Sequence, residues 1–344
     1  MLAERRIPPR RFAVLAVPFM LQCVLWALVV YLFYAGAGLR WIAIPFLPIS
    51  TIGTAVAFYT GFKNNSAYDR FWEGRKIWGA VVNESRSWAN AVLAYVRPGD
   101  GSKEAQELRR TLVYRHLAWI NALRVQLRRK SRFFDRPARA TKRRLEAHAE
   151  HMRNDWEKEI SPFLVREEYE EVTAMINPAT HIVRNQGQVI AAEHRSGQLD
   201  TFHQVDLMAI LRELYTLQGK CERIKNTPLP RQYAEFGGIF VNVFVMLVPF
   251  GLLDVFSEHL PMVGAEFAWI NLLWLIPFLA SAGLIGWVFL SMDRIGDASE
   301  DPFERGFNDV PMNALCRTIE RDLRQLLGED QVPPSEQAAD GILY

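Results

Sequence analysis

Four stretches of the chain carry no charged side chain. The first runs from Phe12 to Leu39, 28 positions, and the second from Trp41 to Phe62, 22 positions. Phe236 to Leu253 adds 18 positions and Phe267 to Met292 adds 26. An α-helix rises about 1.5 Å per residue and a bilayer's hydrocarbon core is about 30 Å thick, so about 20 apolar residues cross it. The pattern predicts four transmembrane helices in two hairpins. The first hairpin turns at 35–40, and the second turns in a stretch holding Asp254, Glu258, His259 and Glu266. Between the hairpins the periodicity is helical rather than alternating. Leu108, Leu112, Leu117, Ile120, Leu123 and Leu127 fall on one stripe and predict an amphipathic helix. A second helix is predicted from about Asp206 to Lys225, with breaks at Pro98-Gly99, Pro137, Pro162, Pro178, and Pro228 with Pro230.

Charge next to the spans gives their sidedness. Arg5, Arg6, Arg10 and Arg11 precede the first span. That span is too long for a signal-peptide core and lacks a small-residue cleavage site, so it reads as retained. Positive residues stay cytoplasmic, which puts the N-terminus inside and returns the chain to the cytoplasm at Lys63. Arg223, Lys225 and Arg231 before the third span, and Asp293 and Arg294 after the fourth, put the C-terminus inside as well. The expected organisation is a cytoplasmic N-terminus (1–11), helices 1 and 2 (12–62), a helical cytoplasmic domain (63–235), helices 3 and 4 (236–292) and a cytoplasmic C-terminal segment (293–344). The expected location is a membrane, crossed four times with both termini on the cytoplasmic side.

Composition sharpens this picture mainly by exclusion. Half of the 344 residues are apolar and 40 Lys plus Arg face 38 Asp plus Glu, so no global charge draws the chain to nucleic acid. A mean hydropathy of −0.03 averages the spans with a strongly charged middle. The basic bias is local: 109–144 holds thirteen Lys or Arg and one acid, Asp135. Beside a membrane such a cluster fits a solvated face, a lipid-headgroup contact or an interface with acidic helices, and Glu167, Glu168, Glu170 and Glu171 are the available acids. No nucleic-acid reader motif accompanies it. Three cysteines, Cys23, Cys221 and Cys316, do not make a disulfide framework. His148 and His151 flank Glu150 without a spaced third ligand, and no phosphate loop, nucleophile elbow or HExxH occurs. No enzyme activity, metal or cofactor is expected.

The second span is rich in small and hydroxyl residues from Pro48 to Phe62, which suits close helix packing. Thr54, Phe58 and Phe62 are also four apart and line one face. In a cyclic oligomer that face would ring an axis with apolar side chains and act as a dewetting gate. Four spans are too few to surround a water-filled path in one chain, so a channel built this way is a homo-oligomer.

Three segments carry a family resemblance. Phe62-Lys-Asn-Asn-Ser-Ala-Tyr-Asp-Arg-Phe-Trp-Glu-Gly-Arg-Lys-Ile-Trp-Gly79, Glu222-Arg-Ile-Lys-Asn-Thr-Pro-Leu-Pro-Arg-Gln-Tyr233 and Asp301-Pro-Phe-Glu-Arg-Gly-Phe-Asn-Asp-Val-Pro-Met312 resemble, in order, signature segments of the prokaryotic bestrophins. The resemblance implies an all-α membrane protein with four transmembrane helices per subunit and a helical cytoplasmic domain, assembled as a homopentamer around one axial pore. The implied partners are further copies of the chain, small inorganic ions and membrane lipids. Thr54, Phe58 and Phe62 map to the pore neck, where the family more often has large apolar residues at all three levels, and the Thr54 hydroxyl should wet the outer end. A second, cytoplasmic constriction maps to Ile176 before Asn177-Pro178, with Ile182 as the alternative. The acidic run that binds calcium in eukaryotic relatives is not reproduced: Asp301, Glu304 and Asp309 are interrupted by Arg305 and apolar residues, and fit helix caps and subunit contacts.

The implied function is an ion channel limited by a hydrophobic neck, with chloride and other small anions favoured by the resemblance. The alternatives are a monovalent-cation channel of the same fold and a membrane-anchored helical scaffold without ion flux. A basic stretch lining the vestibule would favour anions, and the acidic helix from Glu167 to Glu171 in that place would favour cations.

Overall fold

A computed structural model of the chain describes residues 1, 3, 9–129, 153–260, 269–304, 308–339 and 341–344. Arg5, Arg6, Asp135, Pro137, His148, Glu150, His151, Glu266, Arg305 and the basic positions of 130–144 lie outside the described residues, and Arg10, Arg11 and Arg231 are described as helix backbone alone. Regular structure among the described residues is helical, apart from one isolated bridge between Ala339 and Ile342. The α-helices are α1 (Pro9–Tyr31), α2 (Phe46–Tyr95), α3 (Lys103–Leu127), α4 (Trp156–Ile160), α5 (Arg166–Thr173), α6 (Pro178–Arg195), α7 (Thr201–Asn226), α8 (Arg231–Phe256), α9 (Trp269–Glu300) and α10 (Met312–Leu326). The chain divides into two compact units, one of 4–69 with 229–300, the other of 1–3, 70–228 and 301–344.

The first unit holds α1, the first half of α2, α8 and α9, and these four helices are long and apolar enough to cross a membrane. Its core is a seam of Ala27, Val30, Ile49, Val56, Val241, Phe244, Val248 and Phe278. Leu21, Leu25, Phe33, Leu47, Ile239 and Ile276 point outward, an inside-out pattern that suits a surface facing lipid or further protein. Glycines set the closest helix approaches. A Cβ on Gly53 would lie 2.6 Å from the Phe244 ring, one on Gly283 2.7 Å from Val24, and one on Gly286 2.4 Å from the Cys23 sulfur. The amide of Phe46 donates to Asp254 Oδ2 at 3.2 Å, placing a carboxylate at the positive end of α2.

The charge at Lys63 marks the expected end of the second span, and α2 continues past it unbroken to Tyr95, 50 residues in all. Losing apolar character ends a span without ending a helix, and no proline interrupts the sequence from Pro48 to Pro98.

The second unit is built around α3, which packs against α4, α6, α7 and α10. Ser102 caps its start, with Oγ accepting from the Ala105 amide at 3.1 Å. The expectation of one apolar stripe is too narrow. From Leu112 to Leu127 nearly every residue is buried, including Arg115, His116, Asn121 and Arg124. Polar side chains go inside because the unit supplies partners for them. Arg124 is fully buried and reaches Glu159 at 2.6 Å, Asn121 at 3.0 Å and Asn313 at 2.5 Å. The desolvation lowers the pKa of its guanidinium, an effect that Glu159 opposes. Of the six described basic residues of the cluster, Arg115, Arg124 and Arg128 are buried among polar partners, while Arg110 and Arg129 stay exposed. The α7 helix begins five residues before its predicted start, where Asp200 caps it by accepting from the Phe202 amide at 2.8 Å.

Candidate pore neck

The unbroken α2 helix presents Thr54, Phe58 and Phe62 on one side. Phe58 is 67% and Phe62 63% exposed, and Thr54 is exposed too. The opposite side of the same turns is packed: Val56, Thr60 and Lys63 are buried and Gly53 meets Phe244. Two phenylalanines one turn apart and open to the surroundings forgo burial energy of about 2 kcal/mol each in water, so the face is built for contact with something other than bulk solvent.

The hydroxyls of Ser50, Thr51 and Thr54 turn back on the helix backbone. Thr54 Oγ1 donates to the Ser50 carbonyl at 3.0 Å, while Ser50 Oγ and Thr51 Oγ1 donate to the Leu47 carbonyl at 2.8 and 3.0 Å. The Thr54 proton is thus spent within the helix, and only the oxygen's lone pairs remain to meet water.

Ile176 and Ile182 have opposite environments. Ile176 sits in the turn between α5 and α6 and is 99% exposed, whereas Ile182, one turn into α6, is fully buried in the core. Of the two, only Ile176 has a side chain that reaches the surface. Its turn is fixed by the next residue. Asn177 Oδ1 caps α6 by accepting from the Thr180 amide at 3.3 Å, and also accepts from Gln126 at 2.9 Å and Gln218 at 3.2 Å. Asn177 Nδ2 donates to Glu222 at 2.8 Å. This hub is invisible in the sequence, where only Asn-Pro announces a helix start.

A second feature missed by sequence reasoning lies beside Phe62. Lys63, which the charge pattern makes a marker of the cytoplasmic side, is 1% exposed, and its ammonium contacts Asp293 at 2.9 Å and Asp297 at 2.6 Å. Its stem lies against α8, where a Cβ on Gly237 would come within 3.2 Å. The acids of the segment after α9 also find partners in the chain: Asp301 faces Arg70 at 3.5 Å and Glu304 pairs with Lys225. They do not supply a cap for α10, whose N-cap position is held by Pro311 with no side-chain cap bond.

Residues 12–325 match the model of the family described as Bacterial/Fungal Bestrophin protein. The chain belongs to the bestrophin family. Relatives include the voltage-dependent anion channel-forming protein YneE of Escherichia coli K12, 27% identical over 300 residues covering 87% of this chain and 82% of that one. A voltage-dependent anion channel-forming protein of Mesorhizobium japonicum is 29% identical over 297 residues, 86% of this chain and 79% of the relative. The crystal structure of a bacterial bestrophin homologue from Klebsiella pneumoniae superposes with a TM-score of 0.71 at 25% identity, covering 92% of this chain and 99% of that one. This bestrophin is accordingly a membrane protein whose described residues are helical, and the exposed face of α2 is its candidate functional site.

Proposed function

We propose that this bestrophin is the subunit of a homopentameric channel for small monovalent anions, with chloride as the reference ion, in the bacterial inner membrane. The observation that carries the reading is the exposed Thr54, Phe58 and Phe62 face on one unbroken helix, in a chain whose relatives are named voltage-dependent anion channel-forming proteins. Five copies of that face around an axis make a neck whose apolar rings expel water, so passage is limited by the cost of stripping an ion's hydration shell. Ile176, at the tip of a turn braced by Asn177, forms the second, cytoplasmic constriction. Hydrogen bonds join the chain ends, Ala3 N to Gly341 O at 2.9 Å and Leu343 N to Met1 O at 2.8 Å. That pairing supports termini on one side, and the positive flanks of the spans support the cytoplasmic side.

The test is reconstitution of purified protein into planar bilayers under a potassium chloride gradient. A reversal potential near that of chloride supports the reading. A reversal near that of potassium replaces it with a cation channel of the same fold, and silence at all voltages with intact protein favours the scaffold.

A further inference from the structure

The neck stripe has a clamp behind it. Lys63 and Asn64 directly follow Phe62 on α2, and both engage the end of α9. Lys63 Nζ lies between Asp293 and Asp297, which are one turn apart on one α9 face, and Asn64 Nδ2 donates to the Met292 carbonyl at 2.9 Å. Gly296 makes room for this contact, since a Cβ there would fall 2.2 Å from Asn64 Oδ1. Helix residues are about 100° apart around the axis, so a helix gripped at Lys63 and Asn64 turns Phe62 to the far side. The grip is costly to build. A lysine buried beside a membrane span is retained where it fixes an arrangement, because an apolar side chain would pack there at lower desolvation cost.

We propose that Lys63, Asn64, Asp293 and Asp297 are positioning residues of the neck: the α9 carboxylates hold α2 at the rotation that aims Phe58 and Phe62 at the pore axis. The proposal rests on the pore reading above. The salt link supplies direction, while the apolar seam of Ile49, Val56, Phe244 and Val248 holds the helices together without it.

The experiment reads position 62 itself. Phe62→Cys is placed in proteoliposomes and the rate at which a small charged reagent modifies the introduced thiol is followed, with currents recorded from the same protein. The native Cys23, Cys221 and Cys316 are buried, and the protein without the Phe62 substitution supplies the background. Lys63→Met alone strands the Asp293 charge and risks misfolding, so the working variant is Lys63→Met with Asp293→Asn. Asp297→Asn is the milder companion, since that carboxylate is 57% exposed. Breaking the clamp is expected to change the modification rate at position 62 and the conductance by about fivefold or more, the lower end of coupling between sites in one protein. Lys63→Arg, which keeps the charge, should restore both toward the parent values. An unchanged modification rate in correctly assembled clamp variants overturns the proposal. A parent protein that carries no current while its modification rate still depends on the clamp overturns the channel reading and leaves the positioning role standing.

Discussion

Arg115 grips Glu168 with two parallel hydrogen bonds, Nε to Oε1 at 2.7 Å and Nη2 to Oε2 at 2.9 Å. Asn185 adds a third donor to the same carboxylate at 3.0 Å. The basic stretch and the acidic helix are rival candidates for lining the vestibule on sequence alone, and here one member of each is consumed by the other. Both side chains are about nine-tenths buried, so the pair is structural. Glu168→Gln leaves Arg115 uncompensated in the interior and should lower stability by about 3 kcal/mol. Replacing both, as Arg115→Met with Glu168→Leu, should cost much less. Thermal unfolding in detergent compares them, and the reversal potential should not move in either. A shifted reversal potential in Glu168→Gln would instead put Glu168 on the ion path.

A pH dependence follows from His116. The ring lies in the interior between Trp88 and Trp119, with Nε2 2.8 Å from Ser85 Oγ, and burial holds its pKa down to about 3 against 6.5 when exposed. The folded chain keeps the imidazole neutral where the unfolded chain protonates it. Its contribution is complete above about pH 6.5 and is lost progressively as pH falls toward 3, with a slope of at most about 1.4 kcal/mol per pH unit. His116→Gln should flatten the change in unfolding midpoint between pH 6.5 and 4.5. An equally steep profile in that variant assigns the acid sensitivity to other groups.

The same region shows where sequence reading stops. The four spans are legible because membrane helices need long charge-free runs, and α3 is legible from its leucines. The burial of Arg115, His116, Asn121 and Arg124 is not, because a hydrophobicity pattern counts each as solvent-facing and cannot see that Glu168, Ser85 or Glu159 waits opposite. The stripe at Thr54, Phe58 and Phe62 follows from four-residue spacing alone. The choice between Ile176 and Ile182 does not, since both lie beside the same break and only the fold buries one of them. Lys63 hides the most: a charge at the end of an apolar run reads as a membrane boundary, and its engagement of α9 carboxylates 230 and 234 residues away leaves no local signature.

Two glycines on α2 give a paired test of packing. At Gly53 a Cβ would press into the Phe244 ring at 2.6 Å, while at Gly61 nothing lies within 4 Å. Gly53→Ala should destabilise by about 1 to 3 kcal/mol through overpacking. Gly61→Ala should be neutral or stabilising by up to about 1 kcal/mol, as expected for alanine in a helix interior. Unfolding midpoints in detergent check both. A Gly61→Ala protein that keeps its helicity but loses its oligomer on size-exclusion chromatography would place Gly61 against a neighbouring subunit.

The buried thiols give a further check on the second unit. Burial pushes the Cys316 thiol up to about 11 and raises that of Cys221 further. At pH 7 neither supplies appreciable thiolate, so alkylation of native protein should be slow at both. Each should react at an ordinary rate once the unit is unfolded in denaturant, with peptide mass spectrometry reading the sites. Rapid labelling of Cys316 in native protein would mean that α10 opens away from α3, where its sulfur now lies 3.8 Å from the Ile120 carbonyl.

In the proposed neck, the three levels differ in which could carry the barrier. Phe58 and Phe62 present bare aromatic surface, whereas Thr54 has spent its proton on Ser50 and offers only an oxygen and a methyl. If dehydration sets the barrier, it resides in the two phenylalanine rings, and Phe58→Ala with Phe62→Ala should raise single-channel conductance severalfold with the oligomer intact. Removing aromatic surface that the subunit leaves mostly exposed gives little reason for the fold to fail. Thr54→Val, which exchanges the hydroxyl for a methyl of equal size, should change conductance far less, because the hydroxyl was not free to donate to water. Single-channel recording of the three proteins in one lipid checks the ranking. A Thr54→Val protein whose conductance falls as steeply as the double alanine's rises would move the limiting level outward, to the hydroxyl's lone pairs.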